Sequence, residues 1–351
     1  MAAEKKTKGK SAGYAELREA LKSGAVKNLY LFTGEEAYLR EYYLGELKKA
    51  LVPCFEEFNF HRCEGKGLTV RALAEMAEAM PMMAERSLIV VTDFDPFALN
   101  ESEREQFIVL ISDFPEYCTL VLHFDLAEYK PNKTMKKLCA AMEKQFTPVE
   151  FCAQEKSELL GWVRRRCRAL DRDIGVQAAE HLLFTCGSLM TGLIPEIAKI
   201  CAYARGPEIT VKDIDAVASP VLEAAVFRLT DAVSAGKFDA AAEELGKLFQ
   251  QQEEPIVILS ALGRELRRLY TARLAIDGGK DRSWLMEVWN MRSDYPARLL
   301  MDAARRVTTD WCREGVAMAQ KLDRRLKSEK GIDGEAELKL FLAQLEQGAR
   351  R

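Results

Sequence analysis

Short apolar runs alternate with helical patterns over the first 150 residues of the chain. Five runs have the character of strands: Asn28–Phe32, Phe58–Arg62, Leu88–Val91, Thr119–Phe124 and Val149–Phe151. The helical patterns span residues 35–51, 69–80, 101–113 and 131–145. Apolar strands that alternate with helices are typical of a parallel sheet covered on both faces. The pattern therefore predicts an α/β domain.

From residue 153 onward the pattern is helical. The predicted helices span residues 155–170, 175–186, 193–204, 212–218, 222–235, 237–250, 255–276, 283–290, 295–305, 308–327 and 335–347. The fold class is therefore α/β plus all-α, and Ser219-Pro220 marks a boundary within the helical part. We predict three domains, residues 14–152, 153–219 and 220–351, after a disordered tail at residues 1–13.

Composition and charge narrow the class of protein. The 351 residues are 48% hydrophobic and 30% charged, which excludes long disorder. The net charge of −3 gives no global attraction to nucleic acid or to an anionic membrane, so any such attraction is local. No apolar run approaches the roughly 18–20 residues of a membrane span. The first ten residues lack the apolar core of a secretory signal. We expect a cytoplasmic protein with no membrane partner.

Cysteine and histidine carry no recognisable metal or redox motif. The nine cysteines are scattered without a CxxC pair, and the three histidines are far apart. Zinc and redox sites need close, regular spacing. The pattern favours reduced core thiols and no metal site.

The turn after the first predicted strand differs from a phosphate-binding loop. It contains Thr33, Gly34, Glu35 and Glu36, with neither a second glycine nor Gly-Lys-Ser/Thr. Two carboxylates would repel phosphates. We interpret the turn as a degenerate phosphate loop whose glutamates complement the dipole of the following helix.

No catalytic motif occurs elsewhere. Asp93 and Asp95 follow the third predicted strand without the Asp-Glu pair of a hydrolytic magnesium site, so capping of a loop is the favoured interpretation. We find no Ser/His/Asp set, GxSxG elbow or HExxH motif. No catalytic residue is predicted.

A methionine-rich turn precedes the third predicted strand. Met80, Met82 and Met83 surround Pro81, which interrupts the helix. Methionine is flexible and suits adaptable contact surfaces. Two interpretations remain open: an exposed apolar knob for a partner's pocket, or residues of the core.

Basic charge is concentrated in the helical part. Residues 261–330 hold sixteen Lys/Arg and ten Asp/Glu, a local charge of +6. Candidate contacts to DNA phosphates are Arg164, Arg168, Arg264, Arg267 and Arg268. The alternative is a solvated helix face.

The order of these features resembles the delta subunit of the bacterial DNA polymerase III clamp loader, over residues 14–347. The similar segments are NLYLFTGEEAYLRE, AMPMMAERSLIVV, TLVLHFD, ELLGWVRRRCRAL and EEPIVILSALGRELRRL. The Gly34-Glu35-Glu36 turn is the most telling, because that family keeps the AAA+ fold without a working phosphate loop.

The resemblance implies an architecture and a function. Residues 14–152 would form a RecA-like AAA+ domain, residues 153–219 a helical lid and residues 220–351 a helical collar. The family binds the sliding clamp (beta) and opens it for loading on primed DNA. Its apolar contact residues correspond to Met82 and Met83, with Met80 and Pro81 shaping the turn.

The resemblance also implies partners. The gamma/tau and delta prime subunits would join through the collar, and ATP would be bound by partner subunits, so no cofactor is expected in this chain. No intrinsic catalysis is expected either, although the whole assembly has DNA-directed DNA polymerase (nucleotidyltransferase) activity.

Three other interpretations compete with this one. An ATP-hydrolysing motor subunit of the loader is opposed by the missing Gly-Lys-Ser/Thr. A stand-alone DNA-binding or scaffold protein would use residues 155–347 without a clamp. An adaptor protein would keep the methionine turn buried.

Overall fold

The computed structural model describes residues 15–291 and 293–349. The predicted tail at residues 1–13 lies outside the described residues. The chain divides into two compact units, Met1–Ala153 with Leu189–Thr191, and Gln154–Ser188 with Gly192–Arg351. The second unit contains residues of both predicted helical domains, so their separation into lid and collar stays a prediction.

Unit 1 alternates strands and helices, as the sequence predicts. Its elements are α1 (residues 15–23), β1 (Leu29–Thr33), α2 (Ala37–Leu51), α3 (Glu56–Asn59), β2 (Phe60–Glu64), α4 (Val70–Glu78), β3 (Ser87–Thr92), α5 (Glu101–Ser112), β4 (Cys118–His123), α6 (Lys136–Gln145) and β5 (Thr147–Glu150). Helix α6 begins five residues later than predicted, because Asn132 accepts hydrogen bonds from the backbone and side chain of Thr134 and holds a turn there.

The five strands form one parallel sheet in the order β2-β3-β4-β1-β5. The insertion of β4 between β3 and β1 gives the strand order of the predicted RecA-like module. Strands β3 and β4 are buried along their whole length, since helices cover both faces of the sheet. The prediction of a parallel α/β domain is confirmed.

Two helices of unit 1, α4 and α5, begin with a side-chain cap and are held by core contacts. Thr69 caps α4 by accepting from the Ala72 N–H, and Asn100 caps α5 by accepting from the Glu103 N–H. Leu73 and Phe107, from α4 and α5, have no exposed surface and pack into the core beside β3 and β4. Helix α4 ends at Glu78, just before the methionine turn.

Unit 2 is helical apart from one pair of two-residue strands. Its elements are α7 (Lys156–Arg168), β6 (Asp173–Ile174), α8 (Val176–Cys186), α9 (Met190–Tyr203, whose first two residues belong to unit 1), β7 (Glu208–Ile209), α10 (Val211–Val217), α11 (Leu222–Ser234), α12 (Phe238–Gln250), α13 (Pro255–Asp277), α14 (Arg282–Val288), α15 (Asp294–Ala304), α16 (Thr309–Ser328) and α17 (Gly334–Ala349). The β6–β7 pair is parallel and was not predicted, because two residues carry no periodicity.

Helix α13 forms the centre of the second unit. It packs against α11, α15 and α16, and its buried residues include Leu262, Leu266 and Leu269. Gly315 allows α16 to pack closely against α17, because a Cβ at this position would lie 3.2 Å from a methyl carbon of Leu345. The prediction of an all-α part is confirmed. Within the described residues, no helix combines the length and the apolar character needed to cross a bilayer.

Candidate functional site

The turn after β1 is closed by the backbone that follows β5. The Glu36 N–H donates to the Phe151 carbonyl at 2.9 Å, and the Phe151 N–H donates to the Thr33 carbonyl at 2.8 Å. Gly34 has a φ of 112°, and a Cβ at this position would lie 2.3 Å from the Phe151 carbonyl oxygen. Only glycine fits so close to another backbone segment. The turn is therefore packed against protein backbone at the place where a phosphate loop would hold phosphates.

Arg40 of α2 forms a hydrogen bond with the same turn. Its side chain is 3% exposed, and its Nη1 donates to the Gly34 carbonyl. Its Nη2 donates to Asp125 Oδ1 at 2.6 Å and its Nε to His123 Nε2 at 3.3 Å. Burial lowers the pKa of His123, which favours the neutral ring that accepts this bond. All three guanidinium nitrogens thus have partners inside the unit.

The two glutamates of the turn bind backbone N–H groups. Glu35 Oε1 accepts from the Ala153 N–H at 3.3 Å. Glu36 is fully buried, and its Oε2 accepts from the Met190 N–H at 3.1 Å. Burial raises the pKa of Glu36. That both side chains complement the dipole of α2 stays a prediction, and the Glu36 carboxylate in addition binds the first residue of α9.

Asp93 and Asp95 cap loops, as predicted. Asp93 has a φ of 55°, and its two carboxylate oxygens accept the N–H groups of three consecutive residues that follow β4, namely Asp125, Leu126 and Ala127. Asp95 Oδ1 accepts from the Phe97 N–H at 2.9 Å. Among the described residues, no group of three His, Cys, Asp or Glu side chains is arranged to hold a metal ion.

None of the nine cysteines, all of which lie within the described residues, forms a disulfide, as the sequence predicts. Five are buried, namely Cys118, Cys167, Cys186, Cys201 and Cys312. Burial raises the pKa of Cys118 to about 11 and that of Cys167 to about 12. A thiol with so high a pKa is a poor nucleophile and metal ligand. These cysteines are core residues.

The methionine turn projects from unit 1 between α4 and β3. Met80 is 81% exposed, Met83 is 76% exposed and Met82 is 44% exposed, while Pro81 is half-buried between them. Large apolar side chains are rarely this exposed in a group. The interpretation of these methionines as core residues is wrong, and the exposed knob is what the structure contains.

A residue that the sequence did not single out holds this turn in place. Asn59, the last residue of α3, is fully buried. Its Oδ1 accepts from the Met82 N–H at 2.7 Å, and its Nδ2 donates to the Met82 carbonyl at 2.9 Å. The same Nδ2 lies 3.2 Å from the Cys54 carbonyl oxygen. A four-residue helix gives no periodic signal, so neither α3 nor the role of Asn59 was predictable.

The five candidate DNA-contacting arginines lie on two helices of unit 2. Arg164 and Arg168 are on α7, and Arg168 is 61% exposed and lies 3.5 Å from Asp173. Arg264 and Arg267 are exposed on α13. Arg268 differs, as its Nη1 donates to the buried Glu265 at 3.3 Å and its guanidinium lies over the Trp289 ring at 5.5 Å. Arg268 therefore has a packing role within the unit.

Two family models match this chain. The model of the DNA polymerase III delta subunit matches residues 30–150, and the model of the C-terminal domain of that subunit matches residues 223–345. The chain belongs to the DNA polymerase III delta-subunit family. The family is one of DNA replication proteins, and the first matched region contains both the methionine turn and the closed turn after β1.

Two relatives of this delta-family chain come from Bacillus subtilis. The DNA polymerase III subunit delta of strain 168 is 24% identical over 333 residues, which span 93% of this chain and 95% of the relative. The solved structure of the Bacillus subtilis DNA clamp loader delta protein has a TM-score of 0.50 and 23% identity, and the match covers 95% of this chain and 99% of that one. At this identity the structural likeness shows a shared fold.

Proposed function

We propose that this chain binds a sliding clamp through Met82 and Met83 and opens it for loading on primed DNA. The observation that carries the proposal is the exposure of both methionines on a tight turn in a delta-family chain. Met80 and Pro81 belong to the same turn and determine its shape. A compact pair of flexible apolar side chains suits an apolar pocket on a partner.

The apolar area of the two side chains sets an upper limit on the energy of this contact. Burying two methionine side chains is worth about 3–5 kcal/mol at the usual value per unit of apolar area. Ordering each side chain costs up to about 2 kcal/mol. The contact must also favour the open clamp over the closed one, since a ligand shifts an equilibrium only by its differential affinity.

This chain contributes no catalysis of its own in the proposal. The turn after β1 is filled by Phe151 and Arg40 and carries two carboxylates, which opposes phosphate binding. ATP would therefore be bound and hydrolysed by the motor subunits among the gamma/tau and delta prime partners. The helices of residues 220–351 would form the collar through which these subunits join.

We assign contact with primed DNA to four arginines, of which three are exposed and Arg164 is half-buried. Arg164, Arg168, Arg264 and Arg267 would neutralise phosphates inside the assembled ring. Arg268 is left out because it is engaged with Glu265 and Trp289. We infer that the protein acts in the cytoplasm, where a bacterial chromosome is replicated.

The test is binding of the purified chain to the clamp of the same organism. We expect Met82→Ala/Met83→Ala to weaken binding about tenfold or more, which corresponds to at least about 1.4 kcal/mol. The matched control is Val109→Ala/Leu126→Ala, which removes two other exposed apolar side chains of unit 1, 69% and 93% exposed. This control should bind like the wild type.

Two results would count against the proposal. If the wild type does not bind the clamp, the clamp-opening function is wrong and stand-alone DNA binding becomes the better explanation. If the wild type binds and the methionine variant binds equally well, the contact lies elsewhere on the chain.

A further inference from the structure

The buried side chain of Asn59 bonds the backbone of the methionine turn at Met82. Asn59 bonds both the N–H and the carbonyl of Met82, so its amide pairs with this residue as a neighbouring strand would. Its amide nitrogen also lies 3.2 Å from the Cys54 carbonyl. The Cys54 thiol in turn lies 3.3 Å from the Met83 carbonyl. Residues 54–59 therefore bond the backbone of the turn at two successive residues, Met82 and Met83.

The backbone conformation of the turn at Met83 costs free energy. Met83 has a φ of 50°, in the left-handed region that residues with a Cβ rarely occupy. Such conformations persist where the surrounding structure determines them strongly. Met80 and Met83 are exposed, so their side chains gain little from the core. The hydrogen bonds of Asn59 are the interactions that fix Met82, next to the strained residue.

We propose that Asn59 is a positioning residue that keeps the Met82–Met83 turn in its clamp-binding conformation before the clamp arrives. The inference rests on the proposed function, since it assumes that this turn is the contact. A turn ordered in advance loses less conformational freedom on binding and binds more tightly for the same contacts.

The proposal predicts a kinetic signature. If only the ordered turn can bind, the apparent affinity scales with the fraction of molecules that have it. Loss of the Asn59 bonds then lowers the association rate constant and leaves the dissociation rate constant near the wild-type value. Loss of the methionine side chains removes contacts from the complex, so it raises the dissociation rate constant instead.

The experiment measures association and dissociation of the full chain on immobilised clamp. Asn59→Ala removes every bond of the amide. Asn59→Asp keeps the size and one acceptor but places a carboxylate oxygen against the carbonyls of Cys54 and Met82. We expect both variants to lower the association rate constant about tenfold. The matched control is Asn100→Ala, which removes an asparagine that bonds backbone at the start of α5. It should leave both rate constants unchanged.

Hydrogen exchange at the Met82 amide provides an independent readout. In the wild type this amide should be protected by Asn59 Oδ1, and in Asn59→Ala it should exchange at least about tenfold faster while the amides of β3 stay protected. Unchanged exchange in Asn59→Ala would overturn the inference. So would a raised dissociation rate constant with unchanged association.

The failure of this inference and that of the proposed function are distinguishable. Normal binding by Asn59→Ala together with weak binding by Met82→Ala/Met83→Ala refutes the positioning role alone. Normal binding by the double methionine variant refutes the contact itself.

Discussion

Substitution of Gly34 by alanine is expected to destabilise unit 1 severely. The new Cβ would lie 2.3 Å from the Phe151 carbonyl oxygen and 2.7 Å from the Phe151 nitrogen. Neither atom is the flexible end of a side chain, so the backbone of one segment has to move. That movement breaks the two hydrogen bonds that join residues 33–36 to Phe151.

The size of the effect follows from these contacts. Two lost backbone hydrogen bonds cost about 1 kcal/mol each. Alanine at a φ of 112° adds about 1–3 kcal/mol of backbone strain. The sum, about 3–5 kcal/mol, is a large part of the roughly 5–15 kcal/mol that stabilises a typical domain.

The assay is urea unfolding followed by far-UV circular dichroism and by tryptophan fluorescence. All four tryptophans lie in unit 2, so fluorescence reports on that unit and circular dichroism on both; they are Trp162, Trp284, Trp289 and Trp311. We expect Gly34→Ala to unfold at lower urea by circular dichroism, and to lose hydrogen-exchange protection in residues 29–33 and 147–151.

Gly45→Ala is the matched control. Gly45 lies within α2 of the same unit, and a Cβ there would meet no atom within 4 Å. Alanine in a helix interior is favoured over glycine by about 0.5–1 kcal/mol. Gly34→Ala should therefore lower the free energy of unfolding, whereas Gly45→Ala should raise it. A decrease of less than about 1 kcal/mol in the free energy of unfolding of Gly34→Ala would refute the closed-turn geometry.

Three further predictions concern other side chains. The folded-state pKa of Glu36 is raised, so its contribution to stability is fully present below the unfolded pKa and is lost as pH rises through the folded pKa. Glu36→Gln should then gain stability relative to the wild type as pH rises from 4 to 8; parallel pH profiles in urea unfolding would contradict this. Asp93→Ala removes the acceptor for three N–H groups, so limited proteolysis within residues 125–134 should accelerate several-fold, and an unchanged cleavage rate would argue against the cap. Arg164→Ala/Arg168→Ala should weaken DNA binding and reduce the slope of log K against log salt by about 2, whereas Arg71→Ala on α4 should not; equal slopes would place the phosphate contacts elsewhere.

The sequence alone determined most of the secondary structure of this protein. Apolar runs such as Leu88–Val91 are long enough to show that a strand is buried on both faces, and the long amphipathic patterns gave the helices of unit 2. The missing glycines and the two glutamates after β1 also argue against a phosphate loop directly. These signals are local, because they depend on residue types at fixed short spacings.

Tertiary structure alone decided the contacts of the candidate side chains. The sequence left Met82 and Met83 open between core and surface, because composition does not reveal what covers a turn. The bonds of Asn59 to Met82 and of Glu36 to Met190 span 23 and 154 residues. No periodic pattern encodes contacts at such separations. They exist only once the sheet and its connections bring distant segments together.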